Sequence, residues 1–256
     1  MIPIGSGASG TVYRTTWNNR TVAVKERTVP ERNGAWAEAA SLAWLGTAVP
    51  EVFEWDEDRI VMEYLDPGEP DERAAEELGR ALAEIHAKGA AKYGCPPEEG
   101  PRDAWIGPVP MRNEECDSWA EFYASHRVEP YVRMAVDRGH LSHEEARVFD
   151  RSWEAPDEPP ARVHGDLWNG NVHWGRDRAW LIDPAAHGGH RESDLAMLEL
   201  FGCPHLERVR GAYLEVAPFA DGWRDRVALH QVFPLLVHVA AFGRSYTERA
   251  LAAARS

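Results

Sequence analysis

Val163-His164-Gly165-Asp166-Leu167-Trp168-Asn169-Gly170-Asn171-Val172 is the stretch on which the reading of this chain turns. It has the form His-x-Asp-x-x-x-x-Asn. In phosphoryl transfer to a hydroxyl, an Asp in such a loop accepts or orients the hydroxyl proton, and an Asn five residues on holds a magnesium ion. Leu181-Ile182-Asp183-Pro184 places a second carboxylate 17 residues after Asp166, at the end of an apolar run. Hard oxygen donors of this kind suit magnesium, which takes few protein ligands alongside waters and phosphate. Short strands are expected at Ala161–Val163 and Ala179–Ile182, bracketing the loop and bringing Asp166, Asn171 and Asp183 to one edge. Either Asp alone could be an ordinary turn residue. Their joint occurrence with two upstream features, in order, argues against chance.

The first of these features is Gly5-Ser6-Gly7-Ala8-Ser9-Gly10-Thr11-Val12, a Gly-x-Gly-x-x-Gly-x-Val pattern. A dinucleotide fold would open a helix here. A β-alternating run, Thr11 to Trp17, follows instead. That favours a glycine hairpin lying over nucleotide phosphates, as in kinases, with a plain hairpin loop as the alternative. The second feature is Lys25, which closes the β-rich run Thr21-Val22-Ala23-Val24-Lys25 after an Asn18-Asn19 turn. A Lys there can reach the α- and β-phosphates. Glu38, 13 residues on in an amphipathic segment from Glu31 to Leu45, can supply its ion-pair partner. Lys is scarce in this chain, only Lys25, Lys88 and Lys92, which sets Lys25 apart from a solvated surface residue.

With 256 residues the chain can form one large domain or two lobes around a sizeable core. Its formal net charge of −14 disfavours nucleic acid and anionic membrane as partners. No apolar run is long enough to span a bilayer, and the N-terminus does not read as a secretory signal. Three cysteines, Cys95, Cys116 and Cys203, make no disulfide framework and fit a reducing cytoplasm. Val52-Phe53-Glu54-Trp55 and Arg59 to Tyr64 read as a further strand pair. Asp66-Pro67-Gly68-Glu69-Pro70 is a breaker cluster and the expected lobe boundary. Beyond it helices dominate: Asp71 to Lys88, one from Ser118 restarting at Pro130, and one opened by a Ser142-x-x-Glu145 capping box and running to about Trp153. Residues 94–117 read as a long loop, and Pro234 is expected to kink a C-terminal helix. His187-Gly188-Gly189-His190 lacks zinc-site spacing, so structural or surface roles are expected of it.

The chain resembles the fructosamine kinase (ketosamine 3-kinase) family, which groups with aminoglycoside and choline kinases in the protein-kinase-like fold. The resemblance rests on His164-Gly165-Asp166-Leu167-Trp168-Asn169-Gly170-Asn171, on Ile182-Asp183-Pro184-Ala185, and on Gly189-His190-Arg191-Glu192-Ser193-Asp194-Leu195-Ala196-Met197 followed by Phe201-Gly202. Asp103-Ala104-Trp105-Ile106-Gly107 and Trp119-Ala120-Glu121-Phe122-Tyr123 extend it over nearly the whole chain. It implies an α+β, two-lobed fold: a small antiparallel β lobe over residues 1–65 that binds nucleotide, and a larger, mostly helical lobe over 66–256 with the catalytic loop and acceptor site. It implies ATP and Mg2+ as cofactors and a ketosamine, free or protein-bound, as acceptor. Asp166 would then be the base, with Lys25 and Glu38 completing the catalytic set, and Asn171 and Asp183 the metal ligands. Gly5, Ser6, Gly7, Gly10 and Val12 would cradle the nucleotide, and Met62, Glu63 and Tyr64 would line the adenine through backbone groups. Trp168 and His190 would lie near the sugar, and His164 and Asp194 would support the catalytic loop.

There are departures from the family pattern. The chain starts almost at the glycine loop, without the family's usual lead-in, so a first strand is expected to be weak. Ala8 and Ser9 stand where some relatives carry a redox-sensitive Cys, so that switch is not implied. Asp183 is followed by Pro-Ala, and no Ala-Pro-Glu follows, so a protein-kinase activation segment is not expected. That argues for a small-molecule acceptor. An aminoglycoside, choline or another sugar remains the alternative acceptor, a nucleotide-binding pseudokinase the alternative class, and a monomer the expected state.

Overall fold

The computed structural model describes residues 1–7, 10–27 and 33–256. Ala8 and Ser9, and the expected helix start at Glu31, lie outside the described residues. Strands β1 (Ile2–Gly7), β2 (Gly10–Trp17), β3 (Arg20–Glu26), β4 (Val52–Trp55) and β5 (Arg59–Glu63) form an antiparallel sheet in the order β1-β2-β3-β5-β4. The β2–β3 turn is Asn18-Asn19, with both residues at positive φ, 46° and 61°. Positive φ at both central positions is what a two-residue hairpin matched to strand twist requires, and Asn tolerates it. The first strand expected to be weak is β1, an edge strand paired with β2 from Ile2↔Arg14 to Gly7↔Gly10 and exposed along its length.

Register decides which face Lys25 serves. Successive strand residues point to opposite faces. Val22 and Val24 pack with Val61, Trp17 and Phe53 on one face. Ala23 packs with Ala35, Ile60 and Met62 on the other, the face covered by helix α1 (Gly34–Leu45). Lys25 has the parity of Ala23 and so points toward α1. That helix stops at Gly46, in the left-handed region at φ 67°, whose N–H bonds back to Leu42 O.

The helical part begins at α2 (Glu72–Ala87), capped by the Asp71 side chain accepting from Ala74 N. Its apolar stripe, Ala75, Leu78, Leu82 and Ile85, is buried in a core shared with Val209 and Tyr213 of α7 (Leu206–Val216). The close approach needs Gly79: a Cβ there would lie 2.1 Å from Val209 O. Residues 94–117 are not the uniform loop expected. They contain a hairpin, β6 (Asp103–Ile106) with β7 (Val109–Arg112), turned at Gly107-Pro108. Ala104, Ile106, Val109 and Met111 alternate inward. The surrounding prolines masked this alternation, and Pro110 is tolerated because a two-stranded ribbon does not need its N–H.

The helix expected from Ser118 is in three registers: α3 (Trp119–Phe122), a wider π turn over Tyr123–Val128, and α4 (Glu129–Asp137), with Pro130 in the first turn of α4, where a missing N–H costs little. The Ser142/Glu145 capping box opens α5 (His143–Ala146), but the helix tightens to a 3₁₀ turn and ends at Phe149 rather than near Trp153. Trp153 is instead buried from a non-helical segment leading to Pro156, Pro159 and Pro160.

The two strands bracketing the loop do not pair with each other. β8 (Ala161–Val163) pairs with β11 (His187–Gly189), and β10 (Ala179–Leu181) pairs with β9 (Val172–Trp174). Helices α6 (Glu192–Phe201), α8 (Trp223–Phe242) and α9 (Thr247–Arg255) complete the fold, with α8 continuing through Pro234. The largest core lies between the β6–β7 hairpin, the α3–α4 segment, α8 and α9. Among the described residues no helix is long and apolar enough to cross a membrane.

Candidate active site

A cleft of about 470 Å³ runs beneath the sheet. Gly5, Ser6, Gly7, Gly10 and Val12 line one side, Lys25 and Glu38 its back, and Asp166, Trp168, Asn171 and Asp183 its floor. The Lys25 ammonium lies 2.7 Å from Glu38 Oε2 and 2.8 Å from Asp183 Oδ1. Burial works against the charge on Lys25, but the two carboxylates outweigh it and raise its pKa. Burial likewise opposes ionisation of Asp183, and Lys25 wins there, holding that carboxyl below its ordinary range. Glu38, on α1, is the more deeply buried, and burial pushes it up despite Lys25.

The loop after β8 is built so that Asp166 faces the cleft. Its backbone is held from behind by Asp194, whose carboxylate accepts from His164 N at 2.7 Å and Gly165 N at 3.0 Å. His164 ties the loop to the chain before Asp183. Its Nε2 donates to Ile182 O at 3.0 Å, and its Nδ1 accepts from Asp166 N at 3.3 Å. The Asn171 amide donates to Asp166 O at 2.7 Å and to Asp166 Oδ2 at 3.0 Å. Burial pushes the Asp166 carboxyl up to about 7, although the Asn171 bond works the other way. A carboxylate poised near neutrality is suited to taking a hydroxyl proton.

Asp183 sits at φ 54°, an uncommon backbone state for a residue other than Gly and one that clusters at functional sites. With 38 % of its side chain exposed it faces the cleft, where Lys25 takes one oxygen. The amide of Asn171 is spent on Asp166, which leaves its carbonyl oxygen as a donor atom to a cation. A carboxylate and an amide oxygen beside a second carboxylate form a hard-oxygen set that fits magnesium.

Gly165 is fixed by tight packing. It has φ 80°, and a Cβ would lie 2.2 Å from Ala185 O. Gly165→Ala should therefore cost about 2 kcal/mol, lowering the melting temperature by roughly 4–8 °C for a chain of this size. It should lower kcat as well, since the displaced residue adjoins Asp166. Thermal unfolding and turnover measured together check both; an unchanged melting temperature would contradict the packing argument.

Met62 and Glu63, expected with Tyr64 to meet the adenine through backbone groups, end β5, and the Met62 side chain is buried among Ala23, Ala35 and Ile60. His190 is 2 % exposed and lies behind the loop rather than in the cleft. It packs against Trp119 and His230. Its Nδ1 accepts from Glu192 N at 3.3 Å, and its Nε2 is buried with no hydrogen-bond partner among the described residues. Glu192 is itself forked by Arg226 at 2.5 and 3.0 Å. Of the two roles expected at His190, near the sugar or structural, these contacts match the structural one. Trp168, by contrast, is 41 % exposed and on the cleft floor.

Other lining residues had not been singled out as site residues. Ala104 to Pro108 of the β6–β7 hairpin and Val237, His238 and Phe242 of α8 form the cleft's outer wall. The hairpin carried a signal in its inward alternation, whereas nothing local marks His238 or Phe242. His86 was also missed: on α2, its Nε2 lies 3.1 Å from Asp194 Oδ2.

The small antiparallel sheet over a helical body, with Gly5, Gly7 and Gly10 lining one cleft with Asp166, Asn171 and Asp183, is that of a phosphotransferase of the protein-kinase-like class. The fold of a macrolide 2'-phosphotransferase from Brachybacterium faecium superposes with a TM-score of 0.61 at 18 % identity, over 98 % of this chain and 90 % of that one. A crystal structure of a candidate fructosamine-3-kinase from Thermobifida fusca is similar at a TM-score of 0.90 and 46 % identity, covering 99 % of this chain and 91 % of that one. A probable ketoamine kinase of Enterococcus faecium is 30 % identical over 96 % of this chain and 91 % of its own length. The family model for fructosamine kinase matches residues 2–255. The chain belongs to the fructosamine kinase family.

Proposed function

We propose that this protein transfers the γ-phosphoryl group of ATP to a sugar hydroxyl of a ketosamine, a fructosamine or ribulosamine, free or protein-bound. The observation that carries the reading is the juxtaposition of Asp166 with Asn171, Asp183 and the Lys25–Glu38 pair in one cleft. We take residues 1–65 as the nucleotide-binding lobe and residues 66–256 as the lobe that presents the catalytic loop and acceptor site. Asp166 accepts the acceptor hydroxyl proton as that oxygen forms its bond to the γ-phosphorus. The bond from the γ-phosphorus to the β–γ bridging oxygen breaks, and ADP leaves with it. Lys25, held in place by Glu38, turns from Asp183 to the α- and β-phosphates. Asn171 and Asp183 hold magnesium, which supplies neutralisation of the phosphate charge. Little covalent work falls to the protein, so positioning and electrostatics carry the rate. Trp168, with Phe242 and His238 opposite the hairpin tip, offers aromatic faces to a sugar or an amine. We take the acting form to be a monomer. The three free thiols fit a cytoplasmic setting.

The test is ADP release with magnesium-ATP against fructosyl-lysine, ribulosyl-lysine, kanamycin, choline and no acceptor. Turnover on the ketosamines alone is expected. Turnover on kanamycin or choline alone would keep the residues and discard the acceptor. Bound ATP with no turnover on any of them would turn the reading to an untested acceptor or to a nucleotide-binding module.

A further inference from the structure

Asp194 is 1 % exposed, and its carboxylate can only accept hydrogen bonds. His164 N and Gly165 N donate to it from the catalytic loop, so His86, whose Nε2 is 3.1 Å away, must donate as well. With a single ring proton, that proton is on Nε2 and Nδ1 is a lone pair. Tyr213 Oη lies 2.8 Å from that Nδ1 and is then the donor. Both residues are buried, at 4 % and 0 % exposure. Burial raises the Tyr213 pKa, which keeps the hydroxyl proton available. The Arg191 guanidinium is held elsewhere, by Glu158 at 2.6 and 2.8 Å, Ala217 O at 3.0 Å and Pro218 O at 2.9 Å.

The two bonds then have a single sense, from Tyr213 to His86 to Asp194. The reverse sense would set the Nε2 lone pair of His86 against the Asp194 carboxylate. We propose that Tyr213 is a positioning residue for the catalytic loop, acting through His86 and Asp194 to hold the His164 and Gly165 amides, and with them Asp166, in place. The proposal deepens the kinase reading above and rests on it for its kinetic arm. It ties the loop to Tyr213 of α7, which does not line the cleft.

The experiment compares Tyr213→Phe, His86→Gln and His86→Leu in the full chain. The readouts are kcat and KM for ATP and fructosyl-lysine, melting temperature, and amide exchange of residues 164–167 against that of α8. Tyr213→Phe should lower kcat about tenfold with both KM values within about twofold. Amide exchange at 164–167 should quicken about tenfold while α8 is unchanged. His86→Gln, whose amide can stand in for the Nε2 donor, should retain more turnover than His86→Leu. A melting temperature that falls while kcat and loop exchange stay at wild type would reduce Tyr213 to packing and overturn the proposal. Unchanged kcat and exchange would overturn it equally. If the wild-type chain turns over no ketosamine, the exchange arm still decides, so failure of the substrate reading and failure of the relay are told apart.

Discussion

Asp166→Asn should lower kcat by about a thousandfold, roughly 4 kcal/mol of transition-state stabilisation, within the range for loss of a general base. The substitution is isosteric and keeps an oxygen for the Asn171 amide that now reaches Asp166 Oδ2 at 3.0 Å. The bond from Asn171 to the Asp166 backbone carbonyl at 2.7 Å is unaffected. The loop should therefore hold its shape, and the glycine loop and Lys25 should bind ATP as before. The expected signature is a collapse of kcat with KM for ATP changed less than about threefold. Steady-state ADP release and ATP titration of the variant measure the two quantities. Retention of more than a tenth of wild-type kcat would remove Asp166 from the role of base.

Lys25→Met should act on both stability and catalysis. Lys25 is 2 % exposed and lies between Glu38 and Asp183. Removing it leaves two carboxylates facing each other with less positive charge between them. Breaking a buried pair costs about 3–5 kcal/mol when the surviving charge is stranded. Here the cost is smaller, about 2 kcal/mol, because Asp183 has 38 % of its side chain in solvent, and Arg27 stays 3.3 Å from Glu38. The melting temperature should fall by roughly 4–8 °C. Adding Glu38→Gln removes the stranded acid, so the double variant should be more stable than Lys25→Met alone, a coupling of about 1 kcal/mol or more. Neither variant should recover kcat/KM for ATP, expected about a hundredfold down. If the second substitution destabilises further instead, a stranded Glu38 is not the source of the loss.

How legible this protein was depends on the range of each signal. The Asn18-Asn19 turn, the Asp71 cap and the Ser142/Glu145 box were readable because each is satisfied within a few residues of itself. The β6–β7 hairpin was hidden by its prolines, although Ala104, Ile106, Val109 and Met111 alternate as strands should. The end of α5 was misplaced because Trp153 is apolar and in helical range, yet its burial comes from tertiary packing. His190 shows the same limit at the site. Its place in a motif with Asp194 suggested a substrate contact, but Trp119 and His230, from distant elements, enclose it.

What the sequence by itself determined was the inventory and its order: a glycine loop, Lys25, Glu38, then Asp166, Asn171 and Asp183, each on an element whose type follows from local periodicity. Tertiary structure alone decided which strands pair around the catalytic loop, β8 with β11 and β9 with β10. It also decided that His86 of α2 meets Asp194 of α6, and that the hairpin and α8 wall the cleft. The physical reason is that turns, caps and alternation are satisfied by neighbours in the chain. Pairing of short strands and burial of single polar groups are settled only when segments far apart in sequence close on one another, and a residue's own surroundings in the chain carry no record of that partner.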